Sequence, residues 1–145
     1  MLSIMARIMA IDVGDVRVGV AISDELGISA NPLCALERKN NLAQSEIIRL
    51  IKEHAVTTIV AGLPLSTAGD ETEQSEKAQR FCRRIARRSG VEVVFVDEFL
   101  TTEEAKQRLN LGSSPPQKLR KSGDIDAVSA SIILERYLSS RKSHV

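Results

Sequence analysis

Aromatic side chains are scarce: three Phe, one Tyr and no Trp in 145 residues. A platform that stacks bases on several rings needs more than that. Cysteine is also sparse. Cys34 and Cys82 stand far apart and form no CxxC pair, and with His54 and His144 they show no regular ligand spacing, which argues against a structural zinc site. Cys82 lies in an apolar helical pattern and reads as a buried free thiol. No run approaches the roughly 18 apolar residues of a membrane span. The apolar start, Met1 to Val13, carries Arg7 and Asp12 and lacks the cleavage site of a secretory leader. A reducing cytoplasm and no membrane are the resulting expectations. An excess of one charge is missing too. Lys and Arg total 20 against 19 Asp and Glu, so only the distribution of charge can speak about a polyanionic partner. The length leaves no room for a TIM barrel, which needs about 250 residues, or for a bilobal kinase-type fold.

What is present fits one domain over residues 1–145, with a disordered polar tail from about Ser139 to Val145. Arg7 to Val13 and Val16 to Ser23 read as strands joined by a tight turn at Gly14 and Asp15. Ile28 to Glu37 reads as a third strand, placed at an edge by Pro32. Asn41 to His54 reads as a helix with an Ile47, Ile48, Ile51 stripe and Asn41 as its cap, Gln44 standing three residues on. Val56 to Ala61 is a β-branched strand stopped by Gly62 and Pro64. A long helix runs to about Ser89 on Ala78, Phe81, Cys82, Ile85 and Ala86, with Gly90 closing it. Val91 to Val96 reads as a buried strand. Thr101 with Glu104 opens another helix, Leu111 to Ser122 reads as a loop, and Asp124 to Ser140 is the last helix. The order β-β-β-α-β-α-β-α-α predicts an α/β fold, a mixed central sheet flanked by helices.

Three carboxylates break the local pattern. Asp12 ends the first strand directly after four apolar residues. Glu98 follows Asp97 at the end of the strand Val91 to Val96. Asp126 lies four residues before Ala130 and so shares the apolar face of Ala130, Ile133, Leu134 and Tyr137. A carboxylate turned toward a core costs several kcal/mol unless compensated, and a bound metal ion compensates it. Open α/β sheets place ligands beyond the carboxyl ends of their strands. Oxygen-only ligands suit Mg²⁺ or Mn²⁺. Blander roles stay open for each: a turn residue for Asp12, a surface ion pair for Glu98, a helix-dipole acid for Asp126. Asp124 suits that last role better, since it follows Gly123 and faces away from the apolar stripe.

Gly62 to Gly69, GLPLSTAG, stands between a strand and a helix, where a phosphate can be cradled. It is not a Walker A loop, because no Lys-Ser/Thr pair follows. Two segments hold cations and no acid: Lys77, Arg80, Arg83, Arg84, Arg87 and Arg88, then Lys106, Arg108, Lys118, Arg120 and Lys121. A charge run usually marks only a solvated face. Beside a carboxylate site it also suits a phosphodiester substrate.

The motifs AIDVG (Ala10 to Gly14), RVGVAISD (Arg17 to Asp24), GLPLSTAG (Gly62 to Gly69), VDEFLTTEEA (Val96 to Ala105) and DAVSASIILERYL (Asp126 to Leu138) resemble the YqgF-like family, over nearly the whole chain. Members of that family are named for Holliday-junction resolution or pre-16S rRNA processing. The resemblance implies an RNase H-like fold and a cytoplasmic, metal-dependent nuclease. Its acidic set maps to Asp12, Glu98 and Asp126, and Arg17 joins the residues expected to touch nucleic acid. Phe99 and Val16 depart from the family pattern, which has Arg and Lys there. Asp124 is not counted as a ligand. In such an enzyme two Mg²⁺ or Mn²⁺ ions about 4 Å apart serve an in-line displacement, with Asp12 between them and Glu98 and Asp126 on either side.

The leading expectation is hydrolysis of phosphodiester bonds in 5′-end processing of pre-16S rRNA. The alternative is a resolvase of four-way DNA, which calls for a two-fold dimer, whereas an rRNA-trimming enzyme can be a monomer. A nucleic-acid-binding module without catalysis is a third class, and its binding would not need Asp12 or metal. An actin-like ATPase also carries an Asp-x-Gly strand end, but it needs two such domains and this chain has room for one.

Overall fold

The computed structural model describes residues 6–63, 72–97, 104, 105, 107 and 122–142. Within them lie β1 (Arg7–Val13), β2 (Arg17–Ser23), β3 (Ala30–Glu37), α1 (Leu42–Glu53), β4 (Val56–Leu63), α2 (Glu73–Ser89), β5 (Glu92–Asp97) and α3 (Ser122–Lys142). Residues 104, 105 and 107 are also helical. The strands form one sheet in the order β3-β2-β1-β4-β5. β2 runs antiparallel to β1 and β3, while β1, β4 and β5 are parallel. The mixed sheet expected from the element order is therefore present.

Burial accounts for the sequence of β1. Met9, Ile11 and Val13 pack in a core with Ile47 of α1 and with Phe81 and Ile85 of α2, whereas Ile8 and Ala10 pack with Ala130, Ile133 and Leu134 of α3. A strand covered on both faces carries apolar residues almost without interruption. Strand alternation then assigns Asp12 to the α3 face, together with Ile8 and Ala10. α3 is buried nearly all round, from Ser129 through Leu134. Arg136 on α3 lies 3.8 Å from Glu104, which ties the helical residues at 104 and 105 to it. Glycine at position 19 is what lets α3 settle on the sheet. A Cβ there would lie 1.9 Å from the Asp126 carbonyl oxygen.

Several boundaries and faces differ from expectation. Asn41 does precede α1, but it is left-handed, as is Asn40, and its side chain makes no capping hydrogen bond. In α1 the buried positions are Ala43, Gln44, Ile47, Leu50 and Ile51, while Ile48 is half-buried. The strand predicted to stop before Gly62 continues to Leu63, because parallel pairing with β5 carries on to Leu63 opposite Asp97. β5 is not the fully buried strand expected. It is last in the sheet order, and Glu92, Phe95 and Asp97 are exposed. The polar tail predicted from Ser139 is helical through Lys142, and the Arg141 guanidinium stacks 5.7 Å from the Tyr137 ring centroid. Thr72 caps α2 through a reciprocal pair of hydrogen bonds with Ser75. Thr101 and most of the predicted loop from Leu111 lie outside the described residues.

Other expectations hold. Pro32 sits on β3 at the sheet edge, beside a register shift that skips Leu33. Gly90 closes α2 at φ 78°, its N–H donating to the Ala86 carbonyl.

Two outcomes follow. Gly19→Ala should lower stability by about 3 kcal/mol, the upper range for overpacking, because backbone rather than a movable side chain meets the new methyl. That corresponds to roughly 10 °C in Tm for a domain of this size, and calorimetry showing an unchanged Tm would contradict it. Burial pushes the Cys82 thiol up to about 12, while Cys34 is half-buried. At pH 8 a thiol reagent should therefore label Cys82 only after denaturation, and rapid labelling of both cysteines in the native protein would contradict this.

Candidate metal and nucleic-acid site

Asp12 and Asp126 come from segments more than a hundred residues apart, and the sheet brings them to one place. Asp12 pairs across the antiparallel ladder with Gly19. Directly opposed residues in such a ladder have Cα atoms about 4.5–5.5 Å apart. The main chain of Asp126 rests on that same Gly19. Both acids are thus on the α3 face at the carboxyl end of β1, and both are half-buried.

Arg17 shares this face. It stands two residues before Gly19 on β2, and strand side chains repeat with period two. Its Nε donates to Asp126 Oδ2 at 2.9 Å, with both side chains about one-third exposed. The sequence pattern rightly turns Asp126 toward the sheet, yet it does not reveal this partner. The carboxylate is an ion-paired, partly solvated group rather than an uncompensated buried one. Arg17, expected at the phosphate, stands beside the acids.

Glu98 lies outside the described residues. The strand that leads to it ends at Asp97, level with Leu63 of β4. The carboxyl ends of the three parallel strands β1, β4 and β5 therefore lie along one edge of the sheet. Among the described residues no three His, Cys, Asp or Glu side chains are grouped closely enough to hold a metal ion. Asp124 falls in the first turn of α3.

Asp24, the acid that ends the RVGVAISD motif, has a structural role. Its Oδ1 accepts from the Ile28 N–H at 2.7 Å and the Ser29 N–H at 3.2 Å, shaping the turn into β3. The Ile28 hydrogen bond is the main reason its carboxyl titrates below the usual range.

The basic residues divide by position. Lys77, Arg80 and Arg84 of α2 line a cleft on the α1/α2 side of the sheet. Arg83 and Arg87 are exposed on the same helix and do not line it. Lys118, Arg120 and Lys121 lie outside the described residues, as does GLPLSTAG beyond Leu63. Two cations of the cleft, Arg38 and Lys39, were missed in the sequence. They stand in Glu37-Arg38-Lys39 at the end of an edge strand, a local pattern that looks like ordinary solvated surface.

The model of the RuvX family, described as Holliday junction resolvase, matches residues 6–140. A “Putative pre-16S rRNA nuclease” of Syntrophus aciditrophicus is 42% identical over 133 residues, covering 91% of this chain and 87% of the relative. One of the same name from Shewanella denitrificans is 39% identical, covering 92% and 94%. Among solved structures, Thermus thermophilus RuvC in complex with a Holliday junction substrate superposes with a TM-score of 0.57 at 15% identity, covering 94% of this chain and 96% of that one. A second structure of T. thermophilus RuvC gives 0.58 at 13% identity with the same coverage. At such identities the structural likeness establishes the fold, which is α/β and RNase H-like. The match along residues 6–140, with relatives near 40% identity over most of both chains, shows that this chain belongs to the RuvX (YqgF-like) family.

Proposed function

We propose that the chain is a divalent-metal-dependent nuclease that hydrolyses phosphodiester bonds, with Asp12, Glu98 and Asp126 as its catalytic and metal-holding carboxylates. The observation that carries this reading is the convergence of Asp12 and Asp126 on Gly19, at the carboxyl end of a central strand. The donor chemistry fits the ion. Carboxylate oxygens, with no His or Cys among the candidates, suit Mg²⁺ or Mn²⁺ rather than zinc. When bound, such ions lower the pKa of a water and stabilise charge on the leaving oxygen.

The chain's own residues supply placement. Asp12 is held by a strand covered on both faces and so offers a rigid oxygen ligand. Arg17 engages one oxygen of Asp126 and leaves the other for a further partner. It also puts a cation beside the acids, which offsets the repulsion between them and an approaching phosphate. Glu98, which follows β5 in the chain, would complete the set from the far side of β4.

The names of the relatives favour pre-16S rRNA as substrate, and processing of its 5′ end is the finer form of this proposal. The description of the family favours four-way DNA as a second reading. The unpaired thiols of Cys34 and Cys82 suit a reducing cytoplasm. Among the described residues no helix is long and apolar enough to cross a membrane.

Matched precursor RNA and four-way DNA, incubated with one preparation in Mg²⁺, Mn²⁺ or EDTA, test the reading. Cleavage should require the metal. Asp12→Asn, Glu98→Gln and Asp126→Asn should each lower its rate by at least about 100-fold, the upper end of what loss of a supporting residue around a metal costs. Losing the partly exposed Arg17 pair should change the stability of Asp126→Asn by no more than about 1 kcal/mol. Full activity of Asp126→Asn would overturn the assignment, and cleavage of the junction alone would move the substrate to DNA.

A further inference from the structure

On the side of the sheet away from Asp12 and Asp126, a cleft of about 620 Å³ is lined by Asp15, Arg38, Lys39, Lys77, Arg80, Phe81 and Arg84. Its walls come from the β1–β2 turn, the end of β3 and one stripe of α2. Positions 77, 80, 81 and 84 follow the i, i+3, i+4, i+7 spacing that lines one helix face. Lys77 is partly neutralised, by Asp15 at 4.0 Å and Glu73 at 3.8 Å. Among the described residues, Arg38, Lys39, Arg80 and Arg84 have no carboxylate within ion-pair distance.

Arg38 is fixed before any ligand arrives. Its main-chain N–H donates to the Val16 carbonyl at 3.0 Å, and its Nη1 donates to the Gly14 carbonyl at 2.9 Å. Its guanidinium lies 5.3 Å from the Phe81 ring centroid, a cation–π distance. These contacts spend the aromatic face and one N–H and leave other donors of the planar fork for an anion. Long surface cations are usually mobile and solvated, so a tethered one among unpaired neighbours is pre-organised for anion binding.

We infer that this cleft holds the sugar–phosphate backbone of a single strand flanking the bond to be cut, with Arg38 as its fixed anchor and Lys39, Arg80 and Arg84 as further phosphate contacts. The inference rests on the nuclease reading and adds a binding subsite to it. Two features favour a nucleic acid over an acidic protein. The turn that walls the cleft, Gly14 to Val16, directly joins Asp12 to Arg17, so a strand in the cleft crosses that turn to reach the acids. From Lys77 to Arg84 the helix rises about 10 Å, so its cations form a line that can follow successive phosphates of a backbone rather than a single point of charge.

The test is anisotropy of a labelled single-stranded RNA in EDTA, across a salt series. No cleavage occurs there if the proposed function is right, so binding is read alone. Arg38→Gln with Arg84→Gln should flatten the log–log salt slope by about 1.4, at about 0.7 per lost contact, and raise Kd about 25-fold at 0.1 M salt. Because Arg38 also braces the turn, Lys39→Gln with Arg84→Gln provides a pair that leaves that brace intact, and it should behave alike. Arg49→Gln with Lys52→Gln removes the same charge from α1, away from the cleft, and should keep the wild-type slope. Polyglutamate at equal charge should fail to displace the RNA. Wild-type slopes in both cleft pairs, an equal loss in the α1 pair, or displacement by polyglutamate would each overturn the cleft while leaving Asp12 and Asp126 in place. Absence of any nucleic-acid binding by the wild type would instead overturn the functional reading itself.

Discussion

The contact between Gly19 and the main chain of Asp126 governs the rest of the structure. At most positions of a sheet a side chain holds a covering helix some 10 Å away. At position 19 there is none, and the Asp126 carbonyl sits where a Cβ would be. α3 therefore meets the sheet at its first turns, with backbone on backbone, and buries Ser129 through Leu134 further along. Because Gly19 is the ladder partner of Asp12, the same contact sets the relation between the two carboxylates. A bulkier residue would push α3 outward and move Asp126 away from Asp12 in the same step.

Arg17 follows from that geometry. Two carboxylates held close repel each other, and a cation on the same face lowers that cost. The Arg17–Asp126 pair is about one-third exposed, so solvent screens it and its contribution to folding is small. Its value lies in position. It fixes the rotamer of one carboxylate, and under the proposed function it would put positive charge where a phosphate approaches. The sheet thus separates two sets of charged groups: acids and Arg17 on the α3 face, and a basic cleft on the α1/α2 face, with the Gly14 to Val16 turn between them.

Much of this was legible in the sequence where one element decides the outcome. The apolar run of β1 marks a strand, and Asp12 stands out against it, although full burial was expected of β5 instead. The Phe81, Cys82, Ile85 stripe and Gly90 define α2 locally, and Pro32 marks an edge. What stayed hidden depends on partners distant in the chain. The Arg17–Asp126 hydrogen bond spans 109 residues, and that of Arg38 to Gly14 spans 24. Asn41 has the residue type of a cap, but the chain enters α1 through two left-handed residues, which removes the geometry in which its side chain can act. Gly62 looks like a stop, yet parallel pairing on β5 carries the strand past it. The polar composition after Ser139 suggests fraying, whereas Arg141 on Tyr137 supports another turn of helix.

The central proposal is that Asp12 and Asp126, with Glu98, would hold a divalent ion near the Gly19 contact. Paramagnetic broadening of backbone amide signals by substoichiometric Mn²⁺ reads that position without reference to activity. The account predicts that amides of Val13, Gly19 and Ile125 to Ala127 broaden first, and that Asp12→Asn abolishes the effect. Broadening centred instead on the surface acids Glu46 and Glu53, or unchanged in Asp12→Asn, would contradict it.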